Sequence, residues 1–97
     1  MVIYIDIDET ICLSPESRDY SKAEPLRENI EKANKLHAEG HTIIYWTARG
    51  TLTGFDWREV TEQQFADWGV KYHDLSFGKP YYDLFIDDKN MNTRDWK

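Results

Sequence analysis

Short apolar runs along the chain end in acidic or hydroxyl-bearing residues, and stretches of helical spacing lie between them. Met1 to Ile7 reads as a buried strand, because a parallel strand covered on both faces shows a near-continuous apolar run. Pro25 suits the first turn of a helix, and Leu26, Ile30, Ala33 and Leu36 follow at helical spacing until Gly40 supplies a stop. His41 to Trp46, centred on Ile43, Ile44 and Tyr45, predicts a second strand that ends in Thr47-Ala48-Arg49-Gly50. A second helix follows over Asp56 to Trp68, with Asp56 as its cap, an imperfect apolar stripe of Trp57, Val60, Phe65 and Trp68, and Gly69 as its close. Val70 to Phe77 holds a short third strand, Gly78-Lys79-Pro80 interrupts it, and Tyr82 to Ile86 predicts a fourth strand running into Asp87-Asp88. Ser14 to Glu24 is polar, carries Pro15 and has no clear period, so it reads as a surface loop or flap.

This order is an α/β pattern: a small Rossmann-like three-layer fold with a mainly parallel sheet of about four strands and no cap domain. Crossovers between parallel strands are right-handed, and ligands bind beyond the carboxyl ends of the strands. The strand-end residues are therefore expected to converge on one crevice. Ninety-seven residues make one domain, 1–97, with a single modest core. A composition of 40% hydrophobic and 31% charged residues excludes the disordered and collagen-like classes.

The opening apolar run is too short for a membrane span and lacks the basic flank of a secretory peptide, which leaves a cytoplasmic reading. Cys12 is the only cysteine, so no internal disulfide can form; it reads as a small, half-buried apolar side chain. A net charge of −6 argues against general nucleic-acid binding, which needs clustered Lys and Arg.

The residues that carry chemistry are Asp6-Ile7-Asp8-Glu9-Thr10, Thr47, Lys79 and Asp87-Asp88. Four carboxylates at one sheet edge repel one another, and two unit charges about 4 Å apart interact by roughly 4 kcal/mol at an effective dielectric of 20. Lys79 alone cannot offset several such pairs, so a cation is expected. Oxygen ligands without Cys or His favour the hard ion Mg²⁺, which commonly binds through one or two carboxylates, waters and a substrate phosphate. With a neutralised phosphate, Asp6 or Asp8 could attack phosphorus to form an aspartyl-phosphate, the other serving as acid and then base. Thr47 and Lys79 would hold phosphate oxygens.

These four groups, in this order and through nearly the whole chain, resemble the ordered motifs of the haloacid dehalogenase superfamily of phosphatases. The resemblance implies Asp6 as nucleophile and Asp8 as general acid/base that also lends its backbone carbonyl to Mg²⁺. It implies Asp87 as a direct metal ligand and Asp88 as support for the metal site. Thr10 would brace the loop after the nucleophile and count among the substrate-binding residues, and Thr47 and Lys79 would bind the transferring phosphoryl group. Gly78-Lys79-Pro80 followed by Phe85-Ile86-Asp87-Asp88-Lys89 is similar to small phosphatases of bacterial capsule and polysaccharide biosynthesis. Two positions depart from the common pattern. Glu9 stands where many members have Gly, as in the Asp-x-Asp-Glu-Thr of protein phosphatases acting on polymerase tails; Met91 stands where an Asp of the outer metal shell is usual. Many members carry an inserted cap, for which this chain has no room. Either the substrate is large, or a neighbouring subunit of a homo-oligomer closes the crevice, or small phosphates enter with little selectivity.

Plainer readings stand beside these. An isolated Asp-x-Asp often caps or solvates a turn, Thr47 could bond its own loop, and Asp88 could be a local cap. Arg49 is a substrate-contact candidate, with a surface ion pair as its alternative. The four tryptophans read as core rather than as stacking platforms, and His37, His41 and His73 lack metal-ligand spacing. The function expected is a Mg²⁺-dependent phosphomonoesterase acting on a small phosphorylated sugar or related metabolite of surface-polysaccharide synthesis. Its rivals are a phosphoprotein or nucleic-acid-end phosphatase, a signalling receiver module, and a member that binds phosphate compounds without hydrolysing them.

Overall fold

β1 (Val2–Ile5) opens the chain, and the loop after it carries Asp6, Ile7 and Asp8. A computed structural model of the protein describes all residues from Met1 to Lys97. A two-residue strand, β2 (Cys12–Leu13), pairs antiparallel with β3 (Glu24–Pro25), and the flap between them contains a 3₁₀ turn at Tyr20–Lys22. Then come α1 (Arg27–Ala38), β4 (Thr42–Thr47), α2 (Arg58–Trp68) and β5 (Asp74–Phe77). A second 3₁₀ turn, Thr93–Asp95, lies near the C-terminus. No helix of the chain is long and apolar enough to cross a membrane.

β1, β4 and β5 form one parallel sheet in the order β1-β4-β5, with Ile5 beside Tyr45 and Tyr45 beside Leu75. Helices separate successive strands, which is the small Rossmann-like α/β arrangement expected. Alternation of side chains along a strand sends Ile5, Ile43, Tyr45 and Leu75 to one buried face, where Ile30 and Ala33 of α1 and Phe65 and Trp68 of α2 complete the core. Val2 and Tyr4, on the other face of β1, are exposed. The first strand is thus covered on one face, and the continuous apolar run of the sequence overstated its burial.

Local rules account for the boundaries. Gly40 (φ 95°) and Gly69 (φ 69°) stop the helices in the left-handed region that glycine adopts freely. Asp56 lies just outside α2, and its carboxylate accepts from the Arg58 N–H at 3.0 Å. Pro25 sits in β3 opposite Cys12, two residues before α1 begins, because the flap is pinned as a hairpin rather than flowing into the helix. Cys12, expected half-buried, is fully buried.

The expected fourth strand, Tyr82 to Ile86, does not form. The sheet stops at three strands, and this stretch is irregular, with Leu84 75% and Ile86 87% exposed. Strand propensity reflects packing on a half-buried sheet surface. The turn at Gly78-Lys79-Pro80 carries this segment away from any strand partner.

Candidate functional site

Three chain segments meet at the carboxyl edge of the sheet. The first follows β1. Its period-2 alternation buries Ile5 and Ile7 and leaves Asp6 and Asp8 half-buried together. The turn after Asp8 is closed by the Thr10 and Ile11 N–H groups, both donating to the Ile7 carbonyl at 3.1 and 2.9 Å. Glu9 takes φ 64°, a region costing an L residue about 1–2 kcal/mol and glycine little. A residue other than glycine here therefore carries strain, which the Glu9 carboxylate offsets by accepting from the Ser14 N–H at 3.1 Å.

The second segment is the last residue of β4 and the loop after it. Thr47 is buried, and its hydroxyl accepts from the Arg49 N–H at 3.1 Å. Gly50 has φ 81°, and a Cβ there would lie 2.2 Å from the Phe55 carbonyl oxygen, so the loop closes this tightly only around glycine.

The third segment follows β5. The Lys79 N–H donates to the Thr47 carbonyl at 3.1 Å, and the Lys79 carbonyl accepts from the Thr51 hydroxyl at 2.8 Å. Fixed at both backbone groups, Lys79 sends its ammonium to 3.6 Å from Asp6 Oδ1, over the rings of Trp46 and Tyr82 at 5.8 and 5.4 Å. Burial pushes the Asp6 carboxyl above the usual carboxylate range; the Lys79 charge pulls it back and the Asp8 charge adds repulsion.

Asp8 is held from below by Arg49, which is 2% exposed. Nη2 donates to Oδ1 at 2.9 Å and Nε to Oδ2 at 3.0 Å, a bidentate fork. Arg49 Nη1 donates to Thr61 Oγ1 at 3.0 Å and Gln64 Oε1 at 2.6 Å, and the guanidinium lies 4.9 Å from the Tyr20 ring centroid. Gln64 in turn donates to the Tyr20 carbonyl at 2.6 Å, tying α2 to the flap. Ser14 Oγ also donates to Asp8 Oδ1, and the Cys12 thiol lies 3.4 Å from the same oxygen.

Asp6, Asp8, Thr47, Arg49 and Lys79 are thus brought together. Three expectations change. Arg49, a substrate-contact candidate in the sequence, is enclosed against Asp8 and has no surface to offer a ligand. Thr10 is engaged by Thr93 through their hydroxyls at 3.0 Å, which anchors the C-terminal turn to the loop after β1. Asp87 and Asp88 lie on the exposed segment that fails to form a strand, where Asp87 accepts from the Lys89 N–H at 3.2 Å.

No three His, Cys, Asp or Glu side chains are gathered so that they could hold a metal ion. The four-carboxylate site expected from the sequence is not assembled. Of the two carboxylates at the site, Asp8 is occupied by Arg49 and Ser14, and Asp6 faces Lys79. This donor set does not by itself make a seat for Mg²⁺. The expectation placed Asp87 and Asp88 at the end of a strand after Pro80, and here they lie on an irregular, exposed segment instead.

Ser14, Tyr20, Thr61 and Gln64 join the site without being expected there. A signal existed for two of them. Thr61 and Gln64 stand within the stripe traced by Trp57, Phe65 and Trp68, and polar residues on a core-facing stripe need a buried partner. That partner is Arg49.

No protein-family model matches the chain, and no curated protein matches it. Solved structures do resemble it. A crystal structure of a target protein from Vibrio cholerae superposes with a TM-score of 0.89 at 23% identity, covering 99% of this chain and 87% of that one. A chain of a Pnkp1/Rnl/Hen1 complex superposes with a TM-score of 0.65 at 17% identity, covering 94% of this chain and 30% of that one. At such identities the likeness is one of fold: this α/β arrangement stands as a unit of nearly the same length in one protein and as part of a much longer chain in another.

Proposed function

We propose that the chain is a small phosphatase of the haloacid dehalogenase type, hydrolysing a phosphomonoester through Asp6. The single observation carrying this reading is the pairing at the sheet edge. A half-exposed carboxylate, Asp6, stands under the Lys79 ammonium, beside a second carboxylate, Asp8, held in a fixed orientation.

In the first half-reaction an Asp6 oxygen attacks phosphorus, the bond from phosphorus to the ester oxygen breaks, and the departing alkoxide takes a proton from Asp8. In the second, water attacks the aspartyl-phosphate and gives its proton to Asp8. The acyl phosphate bond breaks, and Asp6 returns as a carboxylate with release of inorganic phosphate. The Lys79 ammonium supplies positive charge where the phosphoryl oxygens would lie. Thr47 is placed to hold the loop, since its hydroxyl already serves the Arg49 N–H. Mg²⁺ belongs to the proposal on the resemblance of the sequence motifs alone, and the chelator arm of the screen below tests it. The substrate class proposed is a phosphorylated sugar or related metabolite of surface-polysaccharide synthesis, resting on the resemblance alone. A neighbouring subunit as the missing lid belongs to the same proposal.

The test is a phosphate-release screen over sugar phosphates, phosphopeptides and end-phosphorylated oligonucleotides, with Mg²⁺ and with chelator. Asp6→Asn should abolish turnover, and Asp8→Asn should slow it by about 10²-fold or more. Near-wild-type rates in either variant would reject the assigned roles. One phosphoryl group taken up per chain, without turnover, would instead identify a receiver-like module.

A further inference from the structure

Asp8 presents two chemically different oxygens. Oδ1 receives Arg49 Nη2 at 2.9 Å, a longer contact from Arg49 Nε at 3.3 Å, the Ser14 hydroxyl, and the Cys12 thiol at 3.4 Å. Oδ2 receives Arg49 Nε at 3.0 Å and no other donor. A carboxylate has about four lone-pair positions over its two oxygens, so Oδ1 is saturated and Oδ2 keeps one free. The asymmetry comes from the guanidinium, which cannot rotate about its own axis without losing other bonds. Nη1 is fixed by Thr61 and Gln64, and the opposite face is covered by Tyr20. Arg49 contributes nothing to the surface of the crevice, yet its fork leaves one Asp8 oxygen, Oδ2, with a single donor.

We infer that Arg49, clamped by Thr61, Gln64 and Tyr20, is the positioning residue for the proton-transferring carboxylate, and that Asp8 Oδ2 is the oxygen that gives and takes the proton. This rests on the phosphatase reading above and adds a residue to its machinery. A lysine at position 49 would preserve the charge and lose the fork, because an ammonium is a point donor without planar bidentate geometry. Asp8 would then be free to turn.

The variant to make is Arg49→Lys, compared with wild type on two esters: a sugar phosphate, whose alkoxide needs a proton to leave, and p-nitrophenyl phosphate, whose phenolate leaves without one. The quantity to compare is kcat/KM, which reports the first half-reaction. It should fall about 10-fold or more on the sugar phosphate, a share of the usual worth of general acid catalysis. On the aryl ester it should change by less than about 3-fold, and Gln64→Leu should move the same ratio in the same direction by less. Equal losses on both esters would mean that Arg49 merely supports the fold and would overturn the inference.

Thermal unfolding of Asp8→Asn, Arg49→Lys and the double variant forms a cycle that needs no activity. Losses in Tm that fall well short of additive support the Arg49–Asp8 assignment; additive losses overturn it. A wild-type protein that hydrolyses no ester, with non-additive losses, defeats the phosphatase reading and leaves this pairing standing.

Discussion

A single atom marks the core as imperfectly satisfied. The Tyr45 hydroxyl is buried without a hydrogen-bond partner, although its ring packs edge-on against Phe65 with centroids 4.9 Å apart. An unmade buried hydrogen bond costs about 1–3 kcal/mol, while the ring contact survives loss of the oxygen. Tyr45→Phe should therefore raise the free energy of unfolding by about 1–3 kcal/mol in urea titration, and an unchanged or lower midpoint would contradict this. Tyr45 was legible from the sequence as the centre of a strand. Its isolation was not, because partners of a hydroxyl in a parallel sheet come from helices far away in the chain.

Among the elements, the loop from β4 to α2 does most to build the site. It buries Arg49, ties its Thr51 hydroxyl to Lys79, and turns on Gly50. Gly50 and Gly69 share a positive φ, but an added Cβ meets the Phe55 carbonyl at 2.2 Å at position 50 and nothing within 4 Å at position 69. Gly69→Ala should cost about 1 kcal/mol from backbone strain alone. Gly50→Ala should cost more, about 2–3 kcal/mol, because the loop must also open. Equal losses in chemical denaturation would show that the loop yields freely. The helix ends at Gly40 and Gly69 were readable because glycine is a local signal. The fate of Tyr82 to Ile86 was not, since a strand exists only through its neighbour.

Across the whole molecule, buried acidic groups set the response to pH. Burial, with repulsion from Asp8, pushes the Cys12 thiol up to about 12 from 9.0, and burial pushes the Tyr45 phenol upward from 10.0. A group whose folded pKa exceeds its unfolded value holds more protons in the native state, so stability falls as pH rises through that interval. Both intervals open at or above pH 9. The net charge of −6 grows more negative over the same range, which adds self-repulsion. The urea midpoint should hold from about pH 7 to 9 and fall above it, and it should fall less steeply in Tyr45→Phe. A midpoint that rises between pH 9 and 11 would contradict these assignments.

The apolar runs and helical spacings by themselves determined the α/β class, the succession of three strands and two helices along the chain, and the placement of Asp6, Asp8, Thr47 and Lys79 at or just beyond strand ends. Such features follow from local periodicity and from the geometry of parallel crossovers. Only the tertiary structure decided that Arg49 is enclosed rather than free to meet a ligand, that Thr61, Gln64 and Tyr20 reach Asp8 through it, and that Ser14 bonds Asp8 directly. It also decided that Asp87 and Asp88 remain outside the cluster. The physical reason is the same in each case: a guanidinium's partner, or a strand's, is chosen by desolvation and hydrogen bonding among segments distant in the chain, and periodicity carries no record of that choice.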